Sequence, residues 1–128
     1  MRRKSVCGVA CQGQKYLVAQ RKPGGSQGGK WEFPGGKLEE GEGPEDALKR
    51  EFSEELSVAI DVLACLGSTT FQNGENHYLL EAWSINLHSQ EFILNEHQQV
   101  LWADLPTLLT MNLSDSDRDI VNLLSKNP

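Results

Sequence analysis

Short apolar runs at Val6–Cys11 and Tyr16–Gln20 flank Gln12-Gly13-Gln14 and predict two strands joined by a turn. Lys22–Gly29 is a Gly/Ser/Pro loop, followed by a short strand at Trp31–Phe33 and a Pro-Gly-Gly turn. The spacing of apolar residues then becomes helical. At about 100° per residue, Leu48, Phe52 and Leu56 fall within an arc of roughly 80°, the core stripe of a helix. Pro44 suits its first turn, and Glu45 and Asp46 favour its positive end. Val58–Phe71 predicts one or two strands, Asn73-Gly74 a hairpin, His77–Asn86 the returning strand and Val100–Ala103 another. Asp117–Ser125 predicts a closing helix with Ile120, Val121 and Leu124 inward. Repeats, linkers and low-complexity tracts are absent, so residues 1–128 read as one domain of mixed α and β structure.

The helix that carries the Leu48–Leu56 stripe also carries Glu51, Glu54 and Glu55, fanned over about 100° along one side of it. Eight of the chain's eighteen acidic residues lie within Gly36–Val58. Asp46, Lys49, Arg50 and Ser53 already supply a solvated face opposite the core, so three more carboxylates beside the core are surplus to solubility. Placed there they are partly desolvated and repel one another, each raising its neighbour's pKa. A hard dication bound through oxygen, such as Mg²⁺, reverses that penalty. The plainer alternative is a salt-bridged surface helix.

Composition narrows the class. The chain has 128 residues and 38% apolar content, enough for one core in a soluble fold. No apolar run approaches the ~20 residues of a membrane span, and Arg2, Arg3 and Lys4 lead into a strand rather than a targeting segment. Cys7, Cys11 and Cys65, an odd number, suit a reducing cytoplasm and read as buried packing. Seven basic residues stand against Glu32 alone in the first 35 positions; five stand against seventeen acidic ones in the remaining 93. The net charge of −6 argues against duplex nucleic acid as a partner. The balance suits a cation and a few basic groups (Arg21, Lys22, Lys30) jointly holding a polyphosphate. His77, His88 and His97 have no ligand spacing and read as surface or hairpin histidines, with a phosphate contact the alternative for His97. Trp31, Tyr78 and Trp102 read as core aromatics. Neither a Ser/His/Asp triad nor a zinc or dinucleotide pattern appears.

Gly36, five residues, Glu42, seven residues, then Arg50-Glu51-Phe52-Ser53-Glu54-Glu55-Leu56-Ser57-Val58 resembles the Nudix box of the Nudix hydrolase superfamily. The box covers 23 residues, and its lead-in Lys30-Trp31-Glu32-Phe33-Pro34-Gly35 is also similar. Ser57 stands where the family usually has glycine, which predicts a left-handed helix end and a strain cost of about 1 kcal/mol with the chemistry retained. The resemblance implies an α/β/α sandwich around a central mixed sheet. It implies a Mg²⁺ site, with Mn²⁺ able to substitute, formed by Glu51, Glu54, Glu55 and the Gly36 carbonyl, with Glu96 approaching the metal. Arg50 would orient the glutamates, completing a catalytic set of Glu51, Glu54, Glu55, Arg50 and Glu96. Arg21, Phe33, Lys37 and Asp117 are the implied substrate contacts. Asp117 is the candidate reader of the base edge, and a helix cap is its alternative.

The implied reaction is that of MutT-like members: water attacks the inner phosphorus of a nucleoside triphosphate, giving monophosphate and pyrophosphate. Oxidised purines such as 8-oxo-dGTP are the expected substrates. An aspartate at position 117, where bacterial MutT enzymes show asparagine, keeps (d)CTP or a modified pyrimidine open. A catalytically silent nucleotide-binding module is the reading from another class.

Overall fold

The computed structural model describes residues 3–126; Met1, Arg2, Asn127 and Pro128 lie outside the described residues, and with them the Arg2 part of the basic N-terminal stretch. The strands are β1 (Arg3–Gln12), β2 (Lys15–Arg21), β3 (Trp31–Glu32), β4 (Gly35–Lys37), β5 (Ile60–Asn73), β6 (Asn76–Leu87) and β7 (His97–Asp104). The helices are α1 (Pro44–Leu56), α2 (Leu105–Leu108) and α3 (Asp115–Lys126).

β1 organises the sheet. One edge runs parallel to β6 from Arg3–Tyr78 to Ala10–Ile85. The other edge takes β4 antiparallel at Ser5–Cys7, then β2 at Cys11–Gln12. β5 pairs with the far side of β6, while β3 and β7 extend from β2, so parallel and antiparallel pairing coexist. Alternation along β1 feeds two cores. Val6 and Ala10 pack with Ala47, Leu48, Phe52 and Leu56 of α1; Cys7 and Val9 pack with Ile120, Val121 and Leu124 of α3. Helices therefore cover both faces, as the sandwich expectation requires. Gly8 lies on the α1 side, where a Cβ would come within 2.5 Å of the Phe52 ring.

Both tight hairpins follow their turn residues: Gly13 and Gly74 adopt φ of 62° and 63°. The Val58–Phe71 segment is one strand with two irregularities in register, not two strands. The Pro-Gly-Gly turn continues as strand β4, because Gly35 lies against the β1 backbone at Val6 and Cys7, leaving no room for a side chain. Two cysteine expectations fail. Cys7 is buried, but Cys11 and Cys65 are exposed. Cys11 pairs with Tyr16, next to the turn-side Gln12–Lys15 pair and beyond the helix-covered stretch, and Cys65 sits at a register shift of β5.

At the end of α1, Ser57 takes φ 57° and ψ 41°, the one non-glycine with positive φ among the described residues. Residues 93–95 close over that end. Ile93 N–H donates to Leu56 O (3.1 Å) and Asn95 N–H to Glu55 O (3.0 Å). The Asn95 amide donates to Glu54 O (2.8 Å) and Ser57 Oγ (3.1 Å). Carbonyls that a helix end leaves without partners are thereby satisfied.

Candidate active site

The three helix glutamates differ sharply in burial, although they share one side of α1. Glu54 is exposed, Glu51 is mostly covered and Glu55 is buried. Burial, reinforced by Glu51 and by the charges of Glu32 and Glu96, pushes the Glu55 carboxyl up to about 10. Its Oε2 is buried without a hydrogen-bond partner. Such an orphaned acceptor is costly, and it marks the place where a cation would be most welcome.

Arg50 does not belong to the solvated face. Its guanidinium is half-buried because it gathers the surrounding acids: Nε meets Glu42 at 2.7 Å, and Nη1 meets Glu51 at 2.9 Å and Glu54 at 3.3 Å. Nη2 donates to Glu42 Oε1 (2.9 Å) and the Lys37 carbonyl (3.1 Å). The Glu42 bond holds the guanidinium above its ordinary pKa, and Glu42 is held below its own. Gly36 faces this group: a Cβ there would fall 2.5 Å from Glu51 Oε1, so only glycine lets the chain pass so near the carboxylate. The Gly36 carbonyl accepts from Ser5 Oγ at 3.0 Å. Glu96 is exposed, and its charge acts on both Glu55 and Arg21.

Next to the carboxylates is a cavity of about 470 Å³, whose walls include Arg21, Lys30, Phe33, Gly36, Lys37 and Asp117. Of the sequence-derived substrate candidates, Arg21, Lys30, Phe33, Lys37 and Asp117 border it, and Lys22 does not. Phe33 contributes differently from expectation. Its ring is 3% exposed and packs in the α3-side core, while its backbone N–H donates to Asp117 Oδ1 at 2.9 Å. Asp117 is not a helix cap: α3 starts at Asp115, and Ser114 precedes it, with its hydroxyl donating to Asp117 Oδ2. Burial pushes the Asp117 carboxyl up to about 7, against the opposing pull of the Ser114 and Phe33 bonds. Phe71 of β5, on the cavity wall, stacks on the buried Tyr78 of β6 at 4.9 Å, and Lys37 Nζ lies 4.8 Å from the Tyr78 ring centre.

Two residues of the site escaped the sequence reading. His97 is not a surface histidine. It is 2% exposed, with Nε2 at 2.9 Å from Glu32 Oε2 and 3.7 Å from Glu55 Oε1. Glu32 in turn pairs with Arg21 at 3.0 Å. The available signals were slight: Glu32 is the single acid among the first 35 residues, and His97 follows Glu96. By contrast His77 is exposed, and the exposed His88 pairs with Asp61.

This geometry can be set beside known proteins. The NUDIX domain model matches residues 1–124. An 8-oxo-dGTP diphosphatase of Proteus vulgaris is 51% identical over 76 residues, 59% of this chain and 68% of that protein. The CTP pyrophosphohydrolase of Escherichia coli (strain K12) is 33% identical over 103 residues, 80% of this chain and 76% of its own. The solution structure of the E. coli ORF135 protein superposes with a TM-score of 0.88 at 29% identity, covering 98% of this chain and 91% of that one. With the family model spanning nearly all of its length, this chain belongs to the NUDIX family and is a Nudix hydrolase.

Proposed function

We propose that the protein hydrolyses nucleoside triphosphates to monophosphate and pyrophosphate, with oxidised purines of the 8-oxo-dGTP kind as its main substrates. The observation that carries the reading is Glu55: a buried carboxyl with an orphaned oxygen, flanked by Glu51 and Glu54, beside a cavity of nucleotide size. The donor set is carboxylate and carbonyl oxygen, which fits a hard dication. Glu51, Glu54, Glu55, Glu96 and the Gly36 carbonyl would hold Mg²⁺, or Mn²⁺ in its place. When bound, the ion supplies Lewis acidity and neutralises charge on the diphosphate.

The protein's own groups perform the rest. Arg50 keeps Glu51 and Glu54 in position by ion pairing and stays clear of the substrate. One helix carboxylate takes the proton of the attacking water as it reaches the inner phosphorus. Arg21 and Lys37 meet the polyphosphate or sugar, and Asp117 accepts from the base edge. The three free thiols suit a cytoplasmic setting.

A second substrate reading rests on Asp117. A carboxylate there accepts from a cytosine amine as readily as from a guanine edge, which favours (d)CTP or a modified pyrimidine. Pyrophosphate release from a nucleotide panel with Mg²⁺ separates these readings. Preference for 8-oxo-dGTP supports the first, and a clear preference for CTP the second. Binding without turnover of any nucleotide would mean a silent recognition module.

A further inference from the structure

The strands β2 and β7 pair in regular antiparallel register up to Gln20–Gln99, and then the register skips Gln98 so that His97 lies opposite Arg21. A bulge of this kind re-aims side chains where it occurs, commonly beside a site. Here it turns His97 into the interior, against a pair of carboxylates, and leaves Arg21 on the cavity wall. The three elements meet at Glu32 of β3. Its Oε2 lies 2.9 Å from His97 Nε2, and its Oε1 accepts from Arg21 Nη1 at 3.0 Å. An ionised carboxylate only accepts, so Nε2 carries the hydrogen of the first bond. His97 Nε2 also stands 3.7 Å from Glu55 Oε1, which places the imidazole between Glu32 and the helix glutamate.

We propose that His97 is a positioning residue: acting through Glu32, it fixes the Arg21 guanidinium on the cavity wall where the nucleotide binds. This rests on the nucleotide-hydrolase reading above. Arginine at the end of a strand is free to adopt many rotamers, and half of the Arg21 side chain is exposed. Glu32 restricts it only if Glu32 is itself held, and the buried imidazole is what holds Glu32. The effect belongs to substrate binding rather than to the chemical step. Oriented binding groups show themselves in KM when ground and transition states use them alike.

The test combines kinetics with a direct view of Arg21. His97→Ala should raise KM for the nucleotide about tenfold with kcat within about threefold, and His97→Gln, which restores a donor, should recover most of the loss. In an Arg21→Ala background the His97→Ala change should add less than about twofold, because the two act as one unit. In nucleotide-free protein, the ¹⁵N signal of the Arg21 guanidinium should shift and exchange faster with water in His97→Ala. Glu32→Gln, which leaves the imidazole in the core, should move the same signal. An Arg21 signal unchanged in His97→Ala overturns the proposal, as do KM effects that multiply fully in the double variant. A wild-type protein that turns over no nucleotide sinks the hydrolase reading instead, and the Arg21 signal then decides the role of His97 by itself.

Discussion

Glu55 is held away from water against its own preference for charge, and this opposes stability in the absence of metal. Its folded pKa of about 10 lies above the unfolded value of about 4.3. In acid both states carry the proton. As pH rises past the unfolded value, only the unfolded chain releases it, so metal-free stability falls across the range up to about 10. Glu55→Gln removes that loss. In EDTA at pH 8 the variant should be more stable than wild type by over about 1 kcal/mol, read from urea midpoints. The same substitution, and likewise Glu54→Gln, should lower kcat at least about a hundredfold under Mg²⁺. A kcat within a few-fold of wild type would remove that glutamate from the centre. The crowding of Glu51, Glu54 and Glu55 beside Leu48, Phe52 and Leu56 was readable from helical spacing alone. Glu32 and His97 were not, because they lie 65 positions apart and meet only through pairing of β3 and β7 with β2.

At the scale of elements, α1 depends on how it ends. Ser57 occupies a left-handed conformation at a cost of about 1 kcal/mol, and its hydroxyl returns part of that by accepting from Asn95. Ser57→Gly should therefore raise stability only slightly, by about 0.5 kcal/mol. Asn95→Ala should lower it by about 1 kcal/mol, since Glu54 O loses its amide donor. Urea denaturation of the two variants tests both expectations. The left-handed end was legible because Ser57 stands where the Nudix box usually has glycine, but Asn95 as its partner was not, since nothing local links residues 57 and 95. Hairpin turns at Gly13 and Gly74 were legible because turn geometry is a local property of two or three residues. The short helix α2 escaped notice: four residues starting at Leu105-Pro106 give no period to detect, and its cap is the Asp104 carboxylate accepting from Thr107 N–H.

For the molecule as a whole, the proposed function draws selectivity and catalysis from opposite layers. The helix glutamates belong to the α1 side, and Asp117 belongs to α3 on the other. Asp117→Ala should change the ranking of bases in a nucleotide panel while Mn²⁺ affinity stays as in wild type. Unchanged ranking would confine Asp117 to its bonds with Ser114 and Phe33. The two-sided architecture was implied by the box and by two amphipathic helices, yet the place where the layers join depended on β1. That strand has a particular evolutionary consequence. Because Val6, Gly8 and Ala10 look one way and Cys7 and Val9 the other, inserting a single residue near its middle would exchange the clientele of the two helices downstream of the insertion. Homologous chains should thus vary in length at the turns and almost never within this stretch.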